Sequence, residues 1–161
     1  MKKINSLIIL LFFTISLNSC AGYKPIFSSP FQFKIADYSI EGEKRLGNQI
    51  YLKLYNLSKS AKKTPELKNI DILINVAKDK NATAKNSAGK ILAYKINLFT
   101  NVIIKDFITD KEILNENFVF SSSYKVQDQH SETINLENRS IENLINETYQ
   151  DLLIKFSENI L

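Results

Sequence analysis

The chain is poor in the residues that do chemistry. Its 161 residues include one cysteine, one histidine, four glycines and three prolines. A lone cysteine, Cys20, excludes an internal disulfide and any Cys-x-x-Cys pair. A lone histidine, His130, excludes a His-Glu-x-x-His metal site. No Gly-x-Ser-x-Gly turn and no phosphate-cradling glycine run occurs, and four glycines leave little material for either. A hydrolase or transferase needs a nucleophile with a base in reach, or a metal. The carboxylates Asp106, Asp110, Glu112 and Glu116 form the one acidic cluster, and they read as a solvated turn rather than an acid–base pair or a Ca²⁺ site. His130 reads as a solvated residue in the polar stretch before the last helix. The expectation is a protein that is not an enzyme, with no catalytic residue, metal or cofactor.

Long apolar runs are also absent. The longest, Leu7 to Leu17, has 11 residues interrupted by Thr14 and Ser16, well short of the about 20 that a membrane-spanning helix needs. It follows Met1-Lys2-Lys3 and leads to small residues, the pattern of a cleaved export signal. Leu17-Asn18-Ser19-Cys20 resembles the lipobox of bacterial lipoproteins, although Asn18 stands where a small residue is usual. The resemblance implies cleavage before Cys20 and acylation of its thiol. One acyl chain holds a protein only marginally, so two or three are needed for a stable anchor. Residues 1–19 are therefore expected to be a signal peptide, 20–30 a lipid anchor and tether, and 31–161 a single domain.

Charge of one sign is scarce too. The formal net charge is +4, but Lys2 and Lys3 belong to the leader. Without them 19 basic side chains face 17 acidic ones, spread along the chain. That balance is too weak to argue for nucleic acid.

What remains is clear patterning. Phe31, Phe33 and Ile35 alternate with Gln32, Lys34 and Ala36, as in a strand running to about Ile40. Leu46, Ile50, Leu54 and Leu57 build the apolar stripe of a helix over 43–57. Gly47 inside that helix costs about 1 kcal/mol and marks close packing against a sheet. The polar stretch Ser58 to Pro65 follows. Ile70, Ile72, Ile74 and Val76 define a second strand. Leu92, Tyr94, Ile96, Leu98, Val102 and Ile104 share one face of a third, and Leu114, Phe118, Phe120 and Tyr124 one face of a fourth. The opposite parity carries Asn97, Asn101, Asn115, Asn117, Ser121 and Ser123, which argues for one buried and one wet face. The stretches 78–90 and 106–112 read as hairpin connections. Ile141, Ile145, Tyr149, Leu152, Phe156 and Ile160 mark a closing helix that begins between Ser131 and Leu136. The predicted fold is α+β, a two-layer sandwich in the order β-α-β-β-β-α. Two helices cover one face of a four-stranded, mostly antiparallel sheet.

Taken in order, these features resemble the LptE family of lipopolysaccharide-assembly lipoproteins. Cys20-Ala21-Gly22-Tyr23-Lys24-Pro25-Ile26-Phe27 is similar to that family's Cys-Gly-aromatic-x-Pro-aliphatic-aromatic opening, with Ala21 as an extra residue. Ala82 to Gly89, followed by Tyr94-Lys95-Ile96, is similar to its middle hairpin, and Phe118-Val119-Phe120, Ser123-Tyr124 and the closing helix complete the order. The resemblance implies a lipid-anchored plug inside LptD, an outer-membrane β-barrel, that assists lipopolysaccharide insertion from the periplasmic side. It places Lys85 at the family's lipopolysaccharide-contacting basic position, with Lys90 as a neighbour of the same charge. For a second basic position before the last helix, only Lys125 and His130 are available. Ala21 after the anchor, in place of an Asp, is by analogy consistent with the outer membrane. A competing reading is the auxiliary lipid-anchored subunit of a lipid-transport ABC system. It would share the anchor and the lack of chemistry.

Overall fold

A computed structural model describes residues 33–60 and 67–160. The leader over 1–19, Cys20, the tether over 20–30, Phe31 and most of the Ser58–Pro65 connection lie outside the described residues. The elements are β1 (Phe33–Gly42), α1 (Lys44–Ser60), β2 (Lys68–Lys85), β3 (Ile91–Asp106), β4 (Glu112–Lys125) and α2 (His130–Ile160). They form a mixed four-stranded sheet in the order β1-β2-β3-β4. β1 and β2 are parallel, joined through α1, and the other two pairs are antiparallel. The β-α-β-β-β-α order and the α+β class match the sequence pattern.

The even-numbered residues of β2, β3 and β4 face the helices. Ile72, Ile104 and Leu114 line up across three strands, as do Val76, Thr100 and Phe118, and all six are buried. Leu46, Ile50 and Leu54 of α1 and Ile141, Leu144, Ile145, Leu152 and Phe156 of α2 complete this core. Phe33 packs edge-on against Phe156 at 5.2 Å. Replacing one such Leu by Ala costs about 2–5 kcal/mol.

β1 changes parity. A bulge between Ile35 and Asp37 inserts Ala36, so Phe33 and Ile35 face the helices before it and Tyr38 and Ile40 after it. A bulge re-aims side chains in this way. It lets Tyr38 stack on Tyr51 of α1 at 3.9 Å. Burial raises the Tyr51 pKa, reinforced by Tyr38 and Tyr55.

Gly42 makes the β1–α1 turn possible, and Gly47 lets α1 lie close on β1. Gly42 has φ +70°, and an added Cβ would collide with the Val76 carbonyl oxygen. The next amide, of Glu43, donates to that same oxygen at 2.8 Å. Gly47 is buried against β1, with Ile40 Cγ2 only 2.5 Å from where a Cβ would stand, which is the close packing expected of it.

Three boundaries differ from the sequence reading. Most of 78–90 is strand rather than loop: β2 continues to Lys85, leaving a connection of only Asn86–Lys90. Residues 79–90 are exposed, so no hydrophobic alternation marks them. What holds them is pairing with β3, from Lys78↔Leu98 to Lys85↔Ile91. α1 runs three residues past Leu57. α2 begins at His130 itself, so His130 is the first residue of the helix, not part of the stretch before it.

Gly47→Ala should destabilise the domain by about 1–2 kcal/mol, although Ala is the better helix former by about 1 kcal/mol. Urea denaturation checks the sign. Adding Ile40→Ala should make the glycine substitution nearly neutral in that background, and a stabilised single variant would contradict the contact.

Candidate functional site

Three features stand out: the far end of the β2–β3 hairpin, the latch that ties its base to α2, and the sheet face without helices.

The hairpin end is a short polar turn. Asn86 organises it: its amide donates to the Lys90 carbonyl at 3.0 Å, and its side-chain oxygen accepts from Ala88 N at 3.0 Å and Lys90 N at 2.9 Å. Lys85 ends β2 and Lys90 closes the turn, so the two lysines expected to contact ligand do come together at one tip. Both are exposed, and neither makes an ion pair among the described residues. Lys90 also lines a cleft of about 540 Å³ between the hairpin and the start of α2, together with Tyr94, Val126, Asp128, His130 and Ile134. Its lining mixes apolar side chains with Lys90 and His130. Lys125 and Lys85 are not among its lining residues.

Among the lining residues of that cleft is a latch. Lys80 Nζ meets Glu137 Oε2 at 2.5 Å, with the side chains 33% and 21% exposed. The Tyr124 hydroxyl donates to the same carboxylate oxygen at 2.9 Å. The ammonium also lies 4.4 Å from the Tyr94 ring centre, where a cation is attracted to the ring face. Burial alone would lift the Glu137 pKa, but the hydrogen bonds from Lys80 and Tyr124 outweigh it and hold the carboxyl below its ordinary range. Burial alone would lower that of Lys80, but bonding to Glu137 and Tyr124 raises it. Burial and the neighbouring carboxylate raise the Tyr124 hydroxyl despite Lys80.

The open face of the sheet is patterned in rows. Glu41, Asn75, Asn101 and Asn117 lie side by side across all four strands. Asn101 Nδ2 donates to Asn117 Oδ1 at 3.1 Å and to Asn115 Oδ1 at 3.3 Å, and Asn75 Nδ2 donates to Glu41 at 3.3 Å. The next row is apolar, Ala77–Phe99–Val119, with Phe99 43% and Val119 61% exposed. Beyond it come Asp79–Asn97–Ser121 and Asn81–Lys95–Ser123.

The acidic cluster does not converge. Asp106 turns its carboxylate onto the following turn, accepting from Thr109 N at 2.9 Å, Thr109 Oγ1 at 3.0 Å and Ile108 N at 3.0 Å. Those bonds, led by the Thr109 amide, hold its pKa low. Asp110 pairs with Lys105 at 3.1 Å. Glu112 accepts from Asn115 on the open face, whereas Glu116 lies opposite Val102 on the helix-facing parity. Among the described residues no three His, Cys, Asp or Glu side chains group as a metal site.

No family model and no curated protein matches the chain. Solved structures match it in fold. Uncharacterized lipoprotein B of Nitrosomonas europaea superposes with a TM-score of 0.56 at 11% identity, over 82% of this chain and 88% of that one. A candidate lipoprotein of Caulobacter crescentus gives 0.52 at 14% identity, over 77% and 88%. A minor lipoprotein of Acinetobacter baumannii gives 0.51 at 14% identity, over 80% and 96%. The chain shares its fold with these bacterial lipoproteins.

The latch is not legible in the sequence, because Lys80 falls in the 78–90 stretch expected to be a connection. The wet parity of Asn101 and Asn117 is legible, but Asn75, Asn101 and Asn117 become neighbours only once the strand register is known. The signal available was their shared parity, opposite to the apolar residues.

Glu137→Gln should cost about 0.5–1 kcal/mol at neutral pH. A lowered carboxyl pKa in the folded state means the contribution is present above the ordinary glutamate value of about 4.3 and fades as pH falls through the folded-state pKa. The stability gap between wild type and variant, followed by urea denaturation from pH 7 to pH 3, should therefore narrow on the acid side. A gap independent of pH would mean the latch carries no ionic contribution.

Proposed function

We propose that this protein is an LptE-like lipoprotein, held to the periplasmic side of the outer membrane by acylated Cys20, that assembles with and plugs the LptD β-barrel and assists lipopolysaccharide insertion. The observation that supports this reading most directly is the helix-free sheet face. Four strands about 4.8 Å apart and about ten residues of about 3.4 Å each give it an area on the order of 600 Å², near the about 800 Å² per partner of a stable protein interface. Its chemistry is amide and hydroxyl around one apolar row, with Glu41, Asp71, Asp79, Lys95 and Lys105 among them. The lumen of an outer-membrane barrel is polar, and amide rows of this kind exchange hydrogen bonds with such a wall, while those charged side chains call for charged or polar partners there. The fold shared with bacterial lipoproteins and the family-like opening at Cys20 support the same reading.

The exposed Lys85 and Lys90 give the far end of the domain a cationic tip. Phosphates of lipopolysaccharide are suited to charge-assisted hydrogen bonds from such side chains. The adjoining cleft offers Tyr94, Val126 and Ile134 beside them.

Two measurements test the proposal. The native chain, tagged at its C-terminus and purified from gently solubilised envelopes, should bring down a large outer-membrane β-barrel in equimolar amount. Substituting Asn75→Lys and Asn117→Lys together should reduce that recovery about tenfold, equivalent to ~1.4 kcal/mol, while the melting temperature stays near wild type. Recovery alone, or with an inner-membrane transporter, overturns the plug role. In a direct binding assay, Lys85→Glu with Lys90→Glu should weaken lipopolysaccharide affinity about tenfold. Unchanged affinity removes the tip from the site.

A further inference from the structure

The open face of the sheet is not evenly charged. Past the bulge at Ala36, β1 and β2 present Asp37, Glu41, Asp71 and Asp79 on that face, and no lysine or arginine. The β3–β4 half carries Lys95, Lys105 and Glu112 among its amides and hydroxyls. Lys34 shares the face but lies before the bulge, opposite Asn69.

The domain leaves these four carboxylates without a cation. None of them forms an ion pair among the described residues. Asp37 accepts from the Tyr38 amide at 2.8 Å, Glu41 from the Asn75 side chain at 3.3 Å and Asp79 from that of Asn81 at 2.5 Å, all neutral donors. The Oδ1 atom of Asp71 is buried and accepts no hydrogen bond among the described residues. Lys105 stands directly opposite Asp71 but is bonded to Asp110 at 3.1 Å. Lys95, opposite Asn81, is only diagonal to Asp79.

Asp37 and Asp71 are also direct partners across β1 and β2. Like charges so placed repel and weaken a sheet, so the pair does nothing for the stability of the domain alone. It lines a pocket of about 380 Å³ together with Leu73, Ile103, Lys105 and Asp110. Apolar walls beside two carboxylates suit an arginine. Its aliphatic stem packs on leucine and isoleucine while its planar guanidinium forks onto carboxylate oxygens. Such a group would also complete the unbonded oxygen of Asp71 with a charge-assisted hydrogen bond.

We propose that the β1–β2 half of the open face docks on a cationic stripe of the barrel wall, built of arginine and lysine side chains, with one arginine seated between Asp37 and Asp71. Complementary charge of this kind fixes the register of two surfaces and speeds their encounter. The β3–β4 half, with its amides, hydroxyls and apolar row, then meets the neutral part of the same wall. This rests on the plug reading above and names the chemistry of the partner at that site.

The test compares full-length acylated wild type with Asp37→Asn/Asp71→Asn in rebinding to the detergent-solubilised barrel stripped from the native complex. Glu142→Gln/Glu147→Gln, two exposed carboxylates of the helical layer, is the comparison. The sheet variant should associate about tenfold more slowly in about 0.1 M salt. Raising salt to about 1 M, which shortens the screening length from about 10 Å to about 3 Å, should slow wild type markedly and the sheet variant little. The urea midpoint of the free sheet variant should equal or exceed that of wild type, because a repulsion is removed. The helix variant should match wild type throughout. Should the first pair fail to fold, Glu41→Gln/Asp79→Asn repeats the test, with an expected slowing of about threefold. Equal rates for wild type and sheet variant, or equal slowing by sheet and helix variants, overturn the cationic stripe and leave the barrel partnership standing. Self-association of the sheet variant with its barrel rate unchanged also overturns it, assigning the carboxylates to keeping the β1 edge from pairing with a second copy. A wild-type chain that brings down no barrel overturns the plug reading and this proposal with it.

Discussion

The constraint on which the structure depends is that apolar side chains of β2, β3 and β4 share one parity and are locked in one register. Ile72, Ile104 and Leu114 stand in one row, and Val76, Thr100 and Phe118 in another. A slip of one residue would carry every one of them to the opposite face. With the register set, one face must be covered by α1 and α2, and the other is left to amides, hydroxyls and charges around the Ala77–Phe99–Val119 row. β1 meets the constraint by a different route. Its bulge at Ala36 realigns the strand midway, so that Ile40 packs beside Gly47 and Tyr38 stacks on Tyr51.

The same register explains why one face of the sheet carries no helix among the described residues. The helices pack on the apolar parity, so among the described residues no helix covers Asn75, Asn101 and Asn117. Their mutual hydrogen bonds keep the amides aligned, and alignment of that kind suits a flat partner surface better than mobile long side chains, which would lose rotamer freedom on contact.

The hairpin outgrows its helical cover, and this sets the other half of the design. Beyond Lys78 β2 itself gains little from burial, although Ile96 opposite Lys80 is still core, and it is held by ladder pairing and by Lys80 on Glu137 and Tyr94. A latch at the base lets Lys85 and Lys90 stand clear of the core without the arm fraying from its root. At the opposite end the braced turn of Asp106 performs the reverse task, holding Phe107 and Ile108 out of the core. The sheet thus has a lysine-bearing tip at one end and an exposed Phe107–Ile108 pair among charged residues at the other, each fixed by local hydrogen bonding.

Element types and order were legible from periodicity alone, because burial imposes a period of two on a strand with one buried face and near 3.6 on a helix. Leu46, Ile50 and Leu54, and the parity of Ile70 through Val76, are sufficient for that. The clustering of Lys85 with Lys90 was legible because a short turn keeps near neighbours together. The extent of the hairpin was not, since residues 79–90 are exposed and their strand state comes from a partner strand rather than from their own pattern. The latch and the asparagine row were hidden for the same reason: they join residues 57 positions apart, as in Lys80 and Glu137, or bring three strands into line. Periodicity records which face of its own element a residue occupies. Which residues meet across elements is decided by register and packing, and those exist only in the folded chain.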